Sequence, residues 1–108
     1  MLLSEVRAVV TGGVSGLGFA VAKHIVQHGG KAALFDINDQ KATSALEELG
    51  AQNAIYLRTD VSDETQVAEN MAKGRDFMQG LNVAVNCAGI LGAGRVLGRE
   101  ASMPLAQF

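Results

Sequence analysis

The sequence predicts an α/β chain built on a parallel, doubly wound sheet. Three observations lead there. Apolar runs ending at Thr11, Asp36, Thr59 and Asn86 alternate with stretches of helical periodicity. Strands that alternate with helices pair in parallel through right-handed crossovers. The run Thr11-Gly12-Gly13-Val14-Ser15-Gly16-Leu17-Gly18 joins the first strand to the first helix. Asp36 closes the second strand about 20 residues beyond that turn, where an acid facing a ribose is expected.

The elements follow in order. Val6–Thr11 is near-continuously apolar, as a strand buried on both faces must be. Gly16–Gln27 is a helix with Leu17, Ala20, Val21 and Ile25 on one stripe. It stops at His28-Gly29-Gly30, where glycine can turn left-handed. Lys31–Asp36 is the second strand, Asp39–Leu49 the second helix, ended by Gly50, and Ala54–Thr59 the third strand. Ser62 is placed to cap a third helix, with Asp63 and Glu64 in its first turn, where the helix dipole favours acids. Val67, Met71, Gly74 and Met78 follow at helical spacing, and Gly80 closes the helix. Leu81–Asn86 is the fourth strand. Ile90–Glu100 is glycine-rich and irregular, and Ser102-Met103-Pro104 reads as a helix start. The expected sheet order is 3-2-1-4, with two helices on one face and the third on the other.

Bulk properties narrow the function. With 108 residues, 48% of them hydrophobic and 19% charged, the chain fits one small globular domain. The net charge of −2 offers no basic surplus for a phosphate backbone, so nucleic acid is not an expected partner. A single cysteine, Cys87, rules out an internal disulfide. The start, Met1-Leu2-Leu3-Ser4-Glu5, lacks the basic and apolar regions of a signal peptide. No apolar run approaches the ~20 residues of a membrane span, so no membrane partner and a cytoplasmic location are expected.

The glycine turn carries the functional signal. Gly12 lets the chain leave the strand sharply, Gly16 lets backbone approach a ligand, and Gly18 lets the helix pack closely on the sheet. Ser15 adds a hydroxyl and an N–H. The helix start adds partial positive charge, so the turn suits a dinucleotide pyrophosphate. A ligand-free strand–helix turn is the plain alternative, and the flanking strand, helix and acid argue against it. Asp36 can accept from both adenosine ribose hydroxyls and would repel a 2′-phosphate, favouring NAD over NADP. Its plain alternative is a helix cap, for which Asn38 and Asp39 also stand ready. Asp60-Val61, after the third strand, can meet the adenine amino group, or Asp60 can simply brace its own turn. Asn86-Cys87-Ala88-Gly89, after the fourth strand, leaves room for the cofactor across the strand ends. Together these describe a Rossmann-type crevice, with the pyrophosphate at the switch between strands one and four.

These residues resemble the short-chain dehydrogenase/reductase family. Thr11-Gly12-x-x-x-Gly16-x-Gly18, Asp36, Asp60-Val61 and Asn86-x-Ala88-Gly89 match its glycine, ribose, adenine and Asn-Asn-Ala-Gly positions. Cys87 replaces the second Asn, and Asn82 stands where many members have Asp. Within the family, Thr-Gly-Gly-x-Ser-Gly-Leu-Gly and Ala-Val-Asn-Cys-Ala-Gly-Ile are similar to type 2 3-hydroxyacyl-CoA dehydrogenases. That resemblance implies a homotetrameric, NAD-dependent oxidoreductase of fatty acid metabolism, acting on a 3-hydroxyacyl-CoA. It also implies that Ser15, Leu17, Asp36, Asp60, Val61 and Cys87 touch NAD. The family's chemistry uses a later Ser and a Tyr-x-x-x-Lys pair, where Lys lowers the pKa of a general acid/base Tyr. Here the one tyrosine, Tyr56, precedes Asp60 rather than Lys at that spacing and reads as packing.

The expectation is therefore one NAD(P)-binding domain over residues 1–108, truncated after the fourth strand, as the N-terminal portion of a longer enzyme whose catalytic half is absent. Other short-chain dehydrogenase substrates (a steroid, a polyol, a 3-oxoacyl-carrier-protein) stay open, as does a noncatalytic dinucleotide-binding module. His24 and His28 sit four apart and could bind zinc, but without a third ligand a solvated helix face is expected. Cys87 has no nameable base and is not expected to be a nucleophile. Arg95, Arg99 and Glu100 read as a solvated loop rather than an acyl-CoA contact. The fourth strand would be an apolar edge, so the piece alone should associate or be unstable; a cooperative, monomeric melt would contradict that.

Overall fold

A computed structural model describes residues 1–87. The expected parts of the chain from Ala88 onward, including Ala88 and Gly89 of the fourth strand's exit turn, lie outside the described residues. Among the described residues are four strands: β1 (Arg7–Thr11), β2 (Lys31–Asp36), β3 (Ala54–Arg58) and β4 (Val83–Asn86). Three helices connect them: α1 (Gly16–Gln27), α2 (Asp39–Leu49) and α3 (Glu64–Met78). All strand pairs are parallel, in the order β3-β2-β1-β4. The sheet order and the helix-on-both-faces arrangement agree with the sequence expectation.

Burial follows the pleat. Ala8, Val10, Ala32, Leu34 and Ala54 face α1 and α2, and pack with Ala22, Ile25, Ala42, Ala45 and Leu49. Val9, Ala33 and Phe35 face the other way, onto Met78 of α3, with Met71 and Phe77 half-buried beside them. Residues Ala32 to Phe35 are at most 1% exposed, so β2 is closed on both faces. That is why its sequence is continuously apolar rather than alternating.

Several boundaries differ from expectation, each for a local reason. The α1 stripe is rotated: Gly18, Ala22 and Ile25 are buried, Val21 is half-buried, and Leu17 and Ala20 are exposed. Small side chains at Gly18 and Ala22 bring the helix close, and Leu17 is left at the strand ends. α3 is capped by Asp63, not Ser62. Asp63 accepts from Thr65 N–H and Gln66 N–H, at 3.0 and 3.1 Å. Ser62 is engaged elsewhere, donating N–H and hydroxyl to Asp60 Oδ1 at 2.9 and 2.6 Å.

The left-handed residue after α3 is Gln79 (φ 61°), one before the expected Gly80. β4 starts at Val83, because Asn82 spends its side chain on the neighbouring strand. Its Oδ1 accepts from Arg7 N–H and its Nδ2 donates to Glu5 O, each at 2.8 Å. β3 ends at Arg58, where Thr59 turns inward. Thr59 is 1% exposed and accepts a 2.8 Å bond from Asn70 Nδ2 of α3, which also reaches Arg58 O at 3.1 Å.

Among the described residues no helix is long and apolar enough to cross a membrane. Two stability outcomes follow from these contacts. Asn70→Ala removes the donor that satisfies Thr59 and Arg58 and should cost about 1–3 kcal/mol in urea unfolding. Gln79→Gly relieves a left-handed Cβ and should raise stability by roughly 0.5–1 kcal/mol in the same assay. A loss of stability would show that the Gln79 side chain stabilises the turn.

Candidate functional site

Parallel strands bring all their C-terminal ends to one edge. Thr11, Asp36, Arg58 and Asn86 end the four strands there. The glycine turn lies on this edge and is bonded to the end of β2. Gly12 N–H donates to Phe35 O at 2.8 Å, and Gly13 N–H reaches the same oxygen at 3.4 Å. Val14 N–H donates to Asp36 Oδ2 at 3.3 Å.

The turn needs its glycines in different ways. Gly12 and Gly16 have φ of 66° and 58°, a region where a side chain is strained. Nothing lies within 4 Å of where a Gly16 Cβ would stand, so the turn is open to solvent at that point. Gly18 is required by contact: a Cβ there would sit 2.0 Å from Gly12 O. The close packing expected at Gly18 is therefore against the turn itself, not the sheet. Gly13, which sequence reasoning passed over, is also constrained, with Val10 O 2.8 Å from its would-be Cβ. The Gly12-Gly13 pair was the available signal.

The start of α1 differs from the other helix starts. Asn38 caps α2 by accepting from Lys41 N–H at 3.1 Å, and Asp63 caps α3. Ser15, at the same position of α1, is extended (φ −153°) and makes no capping bond. The first-turn N–H groups of a helix have no intrahelical partner, so α1 presents them uncapped beside the open turn. Their dipole makes that point electropositive.

Asp36 stands against this turn. Its Oδ1 accepts from Ile37 N–H at 2.7 Å and Asn38 N–H at 3.3 Å, while Oδ2 holds Val14. The helix-cap alternative fails, since Asn38 does that work. Asp60 lies past the end of β3 and bonds within its own turn, to Ser62. The Ser62 hydroxyl and then its N–H hold the Asp60 carboxyl below the usual range. Val61 is exposed. Leu17 and Ile37 are also exposed, so three large apolar side chains ring this edge. Ile37 was missed in the sequence, although its place directly after Asp36 was a signal.

At β4 the Thr11 hydroxyl donates to Asn86 Oδ1 at 2.7 Å and accepts from Cys87 N–H at 2.9 Å. Asn86 and Cys87 are thus tied to the first residue of the glycine motif. Burial pushes the Cys87 thiol up, which keeps it protonated and argues against a nucleophile. Away from the edge, the His24 and His28 rings lie 4.4 Å apart, with His28 Nδ1 donating to His24 O at 2.8 Å. Among the described residues no group of three or more His, Cys, Asp or Glu could hold a metal ion. Tyr56 is half-buried in β3 and hydrogen-bonded to Asp39 Oδ1 at 2.6 Å.

Comparison with known proteins identifies the family and the fold. The sequence matches the short chain dehydrogenase family over residues 6–105. It is 39% identical over 83 residues to 3-hydroxyacyl-CoA dehydrogenase type-2 from Homo sapiens, covering 77% of this chain and 31% of that protein. It is 42% identical over 84 residues to 3-beta-hydroxysteroid dehydrogenase from Comamonas testosteroni, covering 78% and 33%. The chain thus spans about a third of the length of these curated relatives. In fold it is similar to a short chain dehydrogenase from Bacillus anthracis, with a TM-score of 0.73 at 17% identity, over 80% of this chain and 36% of that one. By its sequence, the chain belongs to the short-chain dehydrogenase family.

Proposed function

We propose that these residues form the adenosine and pyrophosphate half of a nicotinamide-dinucleotide site, in an enzyme that oxidises a secondary alcohol to a ketone. The observation that carries this reading is the uncapped start of α1, facing an open glycine turn with Asp36 fixed beside it. Bare N–H groups and the helix dipole suit a pyrophosphate. Gly12, Ser15, Gly16, Leu17 and Gly18 would hold it. Asp36 keeps lone pairs for the ribose hydroxyls after its three backbone bonds, and its charge opposes a 2′-phosphate, which favours NAD. Val61, with Ile37 and Leu17, offers apolar surface for the adenine, and Asp60 an acceptor for its amino group. Asn86, Cys87, Ala88 and Gly89 would border the remainder of the cofactor.

A bound nicotinamide dinucleotide would supply the acceptor for the hydride of the alcohol carbon, with the hydroxyl proton passing to a general base. In this reading the task of the glycine turn and Asp36 is to bind and orient the dinucleotide.

For the substrate, a 3-hydroxyacyl-CoA is the reading supported by relatives named 3-hydroxyacyl-CoA dehydrogenase type-2 from Rattus norvegicus, Homo sapiens and Mus musculus, at 37–39% identity. A steroid alcohol is the second reading, favoured by the 42% identity to the Comamonas testosteroni enzyme. A homotetramer goes with the first reading.

Calorimetric titration tests the cofactor assignment. The chain should bind NAD more tightly than NADP. Asp36→Asn should weaken NAD about tenfold, the scale of a lost charge-assisted hydrogen bond, and should weaken NADP less. Preference for NADP in the unmodified chain would contradict the role given to Asp36.

A further inference from the structure

A cation stands next to the acid that faces the ribose. In the β2–β3 register Asp36 pairs with Arg58. Both residues follow the parity of Leu34 and Tyr56, which pack into the α1/α2 layer, so both belong to that face. A guanidinium fork matches phosphate oxygens through paired N–H bonds, and at this place it would welcome a 2′-phosphate.

Arg58 is engaged elsewhere. Its Nη1 donates to Asp39 Oδ2 and to Ile37 O, each at 2.9 Å. The opposite oxygen of Asp39 accepts the Tyr56 hydroxyl at 2.6 Å, and that hydroxyl also lies 3.1 Å from Asp36 O. Tyr56 and Arg58, two apart on one face of β3, thus grip both oxygens of one carboxylate at the start of α2. The Tyr56 bond first, and then Arg58, hold the Asp39 carboxyl below the usual range. Burial, then the bond to Asp39, pushes the Tyr56 phenol up, so it stays a donor. Arg58 and Asp39 are 61% and 60% exposed, so the pair is weakly held by itself and depends on the charge of Asp39.

We propose that Asp39, held by Tyr56, is a specificity-determining residue: it withholds the Arg58 guanidinium from the ribose edge at Asp36, so that a coenzyme 2′-phosphate meets carboxylates there instead of Arg58. This rests on the reading that the adenosine ribose lies against Asp36. Lys41 lines the cleft between α1 and α2 with Val14 and Ser15 and is the other nearby cation. It is kept in every variant below, so its contribution cancels.

The test is the NAD-to-NADP affinity ratio of the full chain, measured by calorimetry for four forms. Asp39→Asn keeps an acceptor for Tyr56 and removes the charge that holds Arg58. It should narrow the preference for NAD about tenfold, mostly through tighter NADP, the scale of one charge-assisted hydrogen bond. Adding Arg58→Met should cancel most of that gain. Arg58→Met alone should leave the ratio unchanged, because the guanidinium is already withheld; this arm stands even if Asp39→Asn fails to fold. An unchanged ratio in Asp39→Asn, a gain that survives the loss of Arg58, or weaker NADP in Arg58→Met alone would each overturn the proposal. Failure of the unmodified chain to bind either dinucleotide would overturn the cofactor reading as well. NAD binding that responds to Asp36→Asn but not to these variants would overturn only the role of Asp39.

Discussion

The structure depends on one seam, where the glycine turn is bonded to the end of β2. The carbonyl of Phe35 and the carboxylate of Asp36 take the N–H groups of Gly12, Gly13 and Val14. β2 is closed on both faces, so the turn is anchored to the deeply buried centre of the sheet. The rest follows from this anchor. Val14 enters the core, Ser15 is drawn extended, and α1 begins without a side-chain cap. Gly18 must then sit against Gly12, which sets the approach of α1 to the turn. The carboxylate that braces the turn is fixed by the same bonds at the edge where the ribose is proposed to lie.

The other polar contacts divide between the two ends of the sheet. At the N-terminal end, Asn82 joins β4 to β1 by side-chain bonds to Arg7 and Glu5. At the C-terminal end, Thr11 joins Asn86 and Cys87, while Asn70 joins α3 to the close of β3. The N-terminal bonds fix the start of β4. Those at the other end position side chains around a surface that stays open. Leaving α1 uncapped forgoes roughly 1 kcal/mol of helix stability, which α2 and α3 retain through Asn38 and Asp63. A missing cap at the single helix that follows the glycine turn is consistent with a ligand completing it.

Much of this was legible in the sequence, and the reason is periodicity. β2 and α2 have the bounds that apolar pattern and flanking glycine indicate, and the sheet order follows from alternation with right-handed crossovers. The glycine motif and Asp36, matched by spacing, do meet in the structure, where Asp36 accepts from Val14 N–H of the turn. The misreadings are physical too. Hydrophobic weight put Leu17 on the buried stripe of α1, but close packing is set there by what is small, Gly18 and Ala22. Ser62 looked like a cap because Ser caps helices, yet Asp60 captured it first. The grip of Tyr56 and Arg58 on Asp39 was invisible, because it needs the β2–β3 register and the turn of α2 at once. Local pattern predicts elements, whereas contacts between distant residues appear only when the sheet is assembled.

The central claim, that the seam presents α1 and Asp36 to a dinucleotide, is tested most directly by amide NMR of the chain titrated with NAD. The account predicts saturable shifts concentrated at Gly12 to Gly18, Asp36 to Asn38, and Asp60 to Val61, with Lys31 to Leu34 of β2 and all of α3 little changed. Saturable shifts that bypass the glycine turn, or no shifts at millimolar NAD, would contradict it.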